Sequence, residues 1–168
     1  MIVRKMTPVT IYTDGSSYNG LQSGKRTSAY AAIIFYEGLK ITVSGGYYQS
    51  TNNRTELMAV IRAVEQLKEP CDITLYSDSQ YVVNGINQWL DIWKKKNFKD
   101  RKNVDLWCRL IDAVEIHDIF AKWVRGHNGD KFNEECDRIC TEIVTGKKKI
   151  QFKHDYFFEY FIKQKEEK

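Results

Sequence analysis

The chain has 168 residues, of which 42% are hydrophobic and 13% aromatic, and its formal net charge is +4. That size and apolar content suit one folded domain and exclude a disordered chain, which needs few aromatics and a large net charge. The longest apolar run, residues 29–36, is too short to cross a bilayer, and MIVRKMTPV lacks the apolar length of a secretory signal. The expectation is a cytoplasmic monomer without membrane attachment, with Cys71, Cys108, Cys136 and Cys140 as reduced thiols.

Residues 8–14, PVTIYTD, alternate and are β-branched, which predicts a strand ending at an Asp-Gly turn. Residues 28–37 and 40–49 predict two more strands joined near Gly38, completing an antiparallel meander. From 53 to 68 the period changes, with Leu57, Val60, Ile61, Val64 and Leu67 at helical spacing and Pro70 as the stop. A short buried strand follows at 72–77, ending at Asp78. Helical segments over 79–87, 88–95 and 104–115, a strand over 117–125 and a helix over 131–145 complete the body. The implied fold class is α/β: a mixed five-stranded sheet, three antiparallel strands plus two parallel ones, with helices packed on it. The body is expected to run from 1 to 146, with a protrusion at 88–103 and an extension at 147–168.

Charge is concentrated in that protrusion. Residues 94–103, KKKNFKDRKN, carry six positive charges and one negative, so the rest of the chain is nearly neutral. A lysine run at a helix end is ordinarily a solvated face. Here Trp89, Trp93 and Phe98 flank Lys94, Lys95 and Lys96, and a nucleic-acid groove combines cations for phosphates with flat rings for sugars or bases.

Four acids fit a purely structural role poorly. Asp14 closes the first strand and Asp78 the fourth, and chain ends of neighbouring strands open into a common crevice. Glu56 shares a helical face with Val60, Ala63 and Leu67, so its phase turns it toward the sheet. Asp137 shares a face with Cys140, Thr141 and Val144. Converging carboxylates repel one another unless a cation neutralises them, and hard oxygens select Mg²⁺ or Mn²⁺. Paired divalent ions can activate water and stabilise the leaving oxygen of a phosphodiester, so a nuclease is the economical reading. Spacing alone does not prove that the four acids meet. A zinc reading would use His127, Cys136 and Cys140, but no fourth ligand sits at zinc-type spacing and cysteines on an apolar helical face are usually core. No G-x-S-x-G pattern supports a serine hydrolase.

Taken together, YTDGS (12–16), TNNRTELMAV (51–60), LYSDSQYVVNGI (75–86), WLDIWKKKNF (89–98), KNVDLW (102–107) and WVRGHNGDKFNEECDRI (123–139) resemble the ordered motifs of type 1 ribonuclease H. The resemblance spans about residues 8–145. It implies the ribonuclease H fold, two Mg²⁺ ions with Mn²⁺ as a substitute, and cutting of the RNA strand of RNA–DNA hybrids to 5′-phosphate and 3′-hydroxyl ends. By motif, Asp14, Glu56, Asp78 and Asp137 match the metal-binding tetrad, and His127 matches a residue of proton transfer or product departure. Asn52 and Gln80 match readers of the RNA minor groove, where 2′-hydroxyls mark RNA. Asn53 matches a contact on the DNA-strand side, and Thr51 and Asn103 resemble a pocket for a DNA-strand phosphate. Trp89, Trp93 and Phe98 match an aromatic channel for DNA sugars, and Asn133 and Glu134 fall beside the last acid.

The sequence also departs from the family. The loop after Asp14 keeps only Asn19-Gly20 of the bacterial pattern, so a substrate contact by Asn19 does not carry over from the resemblance, and Gln49 stands where Arg is common. The protrusion is short between Phe98 and Asn103. Related resolvases and transposases are the rival enzymes, and a catalytically dead binding module would need a broken tetrad.

The extension, KKKIQFKHDYFFEYFIKQKEEK, carries six large apolar residues between Tyr156 and Ile162. The first expectation is an added helix whose stripe of Phe157, Phe158, Phe161 and Ile162 packs on the body. The alternative is a contact with a sliding clamp: Gln151, His154, Phe157 and Phe158 resemble the clamp-binding pattern, with His154 in its aliphatic slot.

Overall fold

The computed structural model describes residues 5–18 and 26–166, with the backbone alone at 162, 165 and 166. Strands β1 (Thr7–Tyr18), β2 (Thr27–Tyr36) and β3 (Leu39–Tyr48) form the expected antiparallel meander. Strands β4 (Cys71–Ser77) and β5 (Asp118–Trp123) extend it in parallel on the β1 side. The apolar run of β2 is explained by burial on both faces. Tyr30, Ala32 and Ile34 enter one core, while Ala29, Ala31 and Ile33 enter the other.

Helix α1 (Asn52–Val64) lies on the first face with Leu57, Val60, Ile61 and Val64 fully buried. It ends before the predicted 68, yet Leu67 still packs in the core from the turn that follows. The helical stretch after β4 is one continuous path: α2 (Gln80–Asn84), a π-helical turn (Gly85–Trp89) and α3 (Leu90–Lys95). Helix α4 (Val104–Val114) carries Leu106, Trp107 and Leu110 into the same core. On the second face, α5 (Lys131–Val144) buries Cys136, Ile139, Cys140 and Ile143.

Two expectations are corrected. The sheet has six strands, in the order β5-β4-β1-β2-β3-β6, because Lys153–His154 (β6) pairs in parallel with Tyr47 and Tyr48 of β3. Two residues carry no alternation to read. The pairing follows from Ile150 and Phe152 packing against the second core, which lays the extension along the open edge of β3. Helix α6 (Tyr156–Glu166) forms, but its stripe does not seal onto the body: Phe157 is 40% and Phe161 48% exposed, and only Phe158 is half-buried. The side chain of Ile162 lies outside the described residues. Attachment is N-terminal, through Asp155 and through the Phe157 ring, which lies over the Arg54 guanidinium at 5.1 Å.

Candidate active site

The parallel pairing of β1 with β4 stops at Thr13 and Ser77, so Asp14 and Asp78 follow side by side just beyond it. Asp78 follows the end of β4, but β1 does not turn at Asp14 as the sequence suggested: it runs on to Tyr18, because Asp14 to Tyr18 stay paired with β2. Glu56 arrives from α1, whose start is set by Thr51: its hydroxyl accepts the backbone N–H of Arg54 at 3.2 Å. Gly15 makes the meeting feasible. A Cβ there would stand 2.5 Å from the backbone nitrogen of Glu56, so only glycine lets strand and helix approach this closely. One carboxylate oxygen each from Asp14, Glu56 and Asp78 lies within 4.8 Å of the others.

These acids are uncomfortable without a cation. Burial, then the charge of Asp78, pushes Asp14 up to about 7. Burial and the charges of Asp14 and Asp78 hold Glu56 well above the usual carboxylate range, and its Oε2 is buried with no hydrogen-bond partner among the described residues. Asp78 is raised by burial and then by Asp137. Buried like charges of this kind mark a site that gains from binding a cation.

Asp137 is 38% exposed on α5, and its charge raises both Asp14 and Asp78, so it borders the same crevice from the open side. His127 sits at φ 55 in the preceding loop, 79% exposed, with Nδ1 3.9 Å from Asp137 Oδ2. The loop is tucked against the acids: a Cβ on Gly126 would come within 2.8 Å of Asp78 Oδ2. The indole of Trp123 donates to the Asp78 carbonyl at 3.0 Å, a support with no sequence signal. Glu134 accepts the Gly129 N–H at 3.1 Å, and Asn133 is buried beside it.

Around the crevice, Asn52 and Asn53 are exposed at the start of α1, and Gln80 is exposed at the start of α2, which Ser79 caps. Lys94, Lys95 and Lys96 are exposed. The three rings differ: Trp89 and Phe98 are half-buried, whereas Trp93 is 6% exposed and packs edge-on against Trp107 at 5.3 Å. A cavity of about 470 Å³ opens between Trp89, Trp93, Tyr81, Arg101 and Lys102. Asn19 lies outside the described residues. On the extension, Gln151 and Phe157 are exposed and Phe158 is half-buried.

Sequence reasoning missed Arg54. It is 3% exposed and donates to Asp105 and Asp155. The signal was available, since 54 lies on the face of 57, 61 and 64. Zinc is not supported by Cys136 and Cys140: both are buried, with Sγ 3.5 Å from the Tyr12 carbonyl and 3.6 Å from the Asp14 carbonyl. Burial pushes both thiols up, away from the thiolate a soft metal needs.

The RNase H family model matches residues 6–145. Over 134 residues the chain is 48% identical to ribonuclease HI of Helicobacter pylori (strain ATCC 700392 / 26695), covering 80% of this chain and 91% of the relative. It is 45% identical over 146 residues to ribonuclease H of Mannheimia succiniciproducens, covering 84% and 89%. Among solved structures, the fold resembles LC9-RNase H1, a type 1 RNase H with the type 2 active-site motif, at a TM-score of 0.72 and 24% identity over 88% of this chain and 76% of the other. Motifs, fold and relatives agree: the chain belongs to the type 1 ribonuclease H family and is a ribonuclease, a hydrolase.

Proposed function

We propose that this enzyme hydrolyses the RNA strand of RNA–DNA hybrids endonucleolytically, using two divalent cations, Mg²⁺ or in its place Mn²⁺, and leaving 5′-phosphate and 3′-hydroxyl ends. The observation that carries the reading is the carboxylate cluster, with three ligand oxygens within 4.8 Å of one another and a buried Glu56 oxygen without a hydrogen-bond partner among the described residues. The donor set is all carboxylate, which fits a hard divalent ion. Asp14, Glu56, Asp78 and Asp137 would hold the ions. When bound, such ions lower the pKa of an attacking water and neutralise charge on the leaving oxygen.

The chain's own residues do the rest. Asp14 sits between Glu56 and Asp78, which suits it to serve both ions. His127, with Nδ1 facing Asp137, leaves Nε2 as the ring atom that exchanges a proton with the phosphate. The exposed amides of Asn52 and Gln80 suit 2′-hydroxyls and base edges of the RNA minor groove. Asn53, Thr51 and Asn103 take the DNA-strand side, and Trp89, Phe98 and the exposed lysines continue that track along the protrusion. The buried Trp93 acts there as the floor on which Trp89 rests, their centroids 5.5 Å apart.

The test is cleavage of a strand-labelled RNA–DNA duplex with and without Mg²⁺, beside duplex RNA and duplex DNA. The expected result is Mg²⁺-dependent cutting confined to the RNA strand of the hybrid. Equal cutting of duplex DNA, or undiminished cutting under chelation, would overturn it.

A further inference from the structure

Arg54 is the most fully occupied side chain in the described structure. Its five N–H groups make five bonds. Nη1 and Nη2 donate to the two oxygens of Asp105 at 2.9 and 2.7 Å, while Nε and Nη2 donate to the two oxygens of Asp155 at 2.7 and 3.1 Å. The fifth goes from Nη1 to Asn103 Oδ1 at 3.3 Å. The guanidinium is buried, and Asp155 comes from the extension, outside the 6–145 family match.

That fifth bond decides how Asn103 faces. A guanidinium can only donate, so the amide oxygen of Asn103 must point at Arg54 and its NH₂ must point away. One amide hydrogen goes to the Tyr81 hydroxyl at 3.1 Å, leaving the other to an incoming anion. Asn103 holds φ 58, a left-handed conformation that asparagine adopts readily, just before the first turn of α4. On the other wall, Ser50 donates its hydroxyl to Asp155 Oδ2 at 2.7 Å, directly before Thr51, Asn52 and Asn53. Asp155 thus grips both walls: one through Ser50, the other through Arg54 and Asn103. It is anchored in turn, since its Oδ1 caps α6 by accepting the Phe158 N–H at 3.2 Å.

We infer that Asp155 is a positioning residue for substrate binding: by holding Arg54 and Ser50, it presents the Asn103 amide and the start of α1 to a phosphate of the DNA strand. This rests on the hybrid-cleaving reading above. With an amide in its place, a carboxylate that accepts from two buried donors of Arg54 gives way to a single neutral oxygen, so the guanidinium rests on Asp105 alone for its charge and its grip on the Asn103 oxygen loosens.

The test is steady-state cleavage by the full-length chain carrying Asp155→Asn, below the unfolding temperature of both proteins. KM for the hybrid should rise about five- to tenfold, with kcat within about twofold of the unsubstituted enzyme. A hybrid whose contacted DNA-strand phosphate is replaced by a neutral methylphosphonate should raise KM for the unsubstituted enzyme and leave the variant unaffected. His154→Ala, which breaks the 2.9 Å contact with Glu159 in the same extension, should leave KM unchanged. Independently of cleavage, the Asn103 side-chain amide resonances should move toward a solvent-averaged position in Asp155→Asn.

An unchanged KM and an unmoved amide would overturn the inference. So would a lower KM, which would mean that the carboxylate competes with the phosphate, or a fall in kcat matched to a lost folded fraction. An unsubstituted enzyme inert on hybrids breaks the substrate reading instead, and the amide resonances then still decide the positioning claim.

Discussion

Arg54 and Glu56 stand two residues apart at the start of α1, and both are buried, yet their charges are treated in opposite ways. Around Arg54, burial disfavours the charge, but the hydrogen bonds it donates to Asp105 and Asp155 more than offset this and raise its pKa. Around Glu56, burial and the charges of Asp14 and Asp78 act in the same direction, and one oxygen has no partner. Buried charges are costly unless met, so the first cluster is self-sufficient and the second is complete only with a cation. The same helix turn therefore holds a structural clamp and part of the proposed metal site. Satisfaction, rather than burial or charge, separates the two.

The comparison predicts opposite responses to neutralisation. Asp78→Asn should lower turnover at least about a thousandfold, which corresponds to roughly 4 kcal/mol of lost stabilisation, while hybrid affinity stays within severalfold. Near-normal Mg²⁺-dependent turnover would show that the cluster is not the site. On the clamp side, Arg54→Ala strands two carboxylates and should destabilise the fold by about 3 to 5 kcal/mol. Urea denaturation reads this directly. A loss below about 1 kcal/mol would mean that Asp105 and Asp155 find water instead.

His127→Ala should be milder, lowering kcat by about 10² or less, because a proton-handling side chain contributes on that scale. A thousandfold loss would make His127 part of the metal cage rather than a neighbour of it.

The smallest effect is the sharpest discriminator. Burial and then the charge of Asp78 push Asp14 up to about 7 in the folded protein, from an ordinary 3.8 in the unfolded chain. Between these values the folded state holds a proton that the unfolded state has released. This contribution to stability therefore falls as pH rises from about 4 to 7 and is gone above that window. In chelator at pH 8, Asp14→Asn should accordingly raise the melting temperature by about 2 to 5 °C, the scale of about 1 kcal/mol or slightly more in a chain of this size. Mg²⁺ should narrow the difference. A variant less stable than the parent in chelator would place Asp14 with the self-sufficient charges.

Much of this was legible locally. The period changes marked β1 to β5 and the main helices, because a sheet buried on one or both faces and a helix buried along a stripe leave periodic traces. Three of the acids were legible for a related reason: Asp78 follows a strand end and Glu56 lies in an inward helical phase, while Asp14 reads as a strand end but is buried inside β1, where its pairing with β4 stops. The meeting of Asp14 with Glu56, however, depends on a close approach at Gly15 that no window of sequence contains.

The extension was the least legible region. Its composition announced a helix with an apolar stripe, and the helix is there, but the stripe is half-exposed. What holds the extension is Asp155 on Arg54, 101 residues away, together with Phe152 and Ile150 against the second core. A single aspartate near the chain end has no period, spacing or neighbour that distinguishes it from a solvated charge. Its role arises only once the chain has folded and α1 has carried a buried guanidinium to the edge of the sheet. Sequence alone determined that β1 to β5 and the helices form and that Glu56 turns inward, since those choices depend on neighbours within a few residues. Tertiary structure decided which charges find partners, because pairing in a low-dielectric interior depends on distances that only the assembled sheet and helices define.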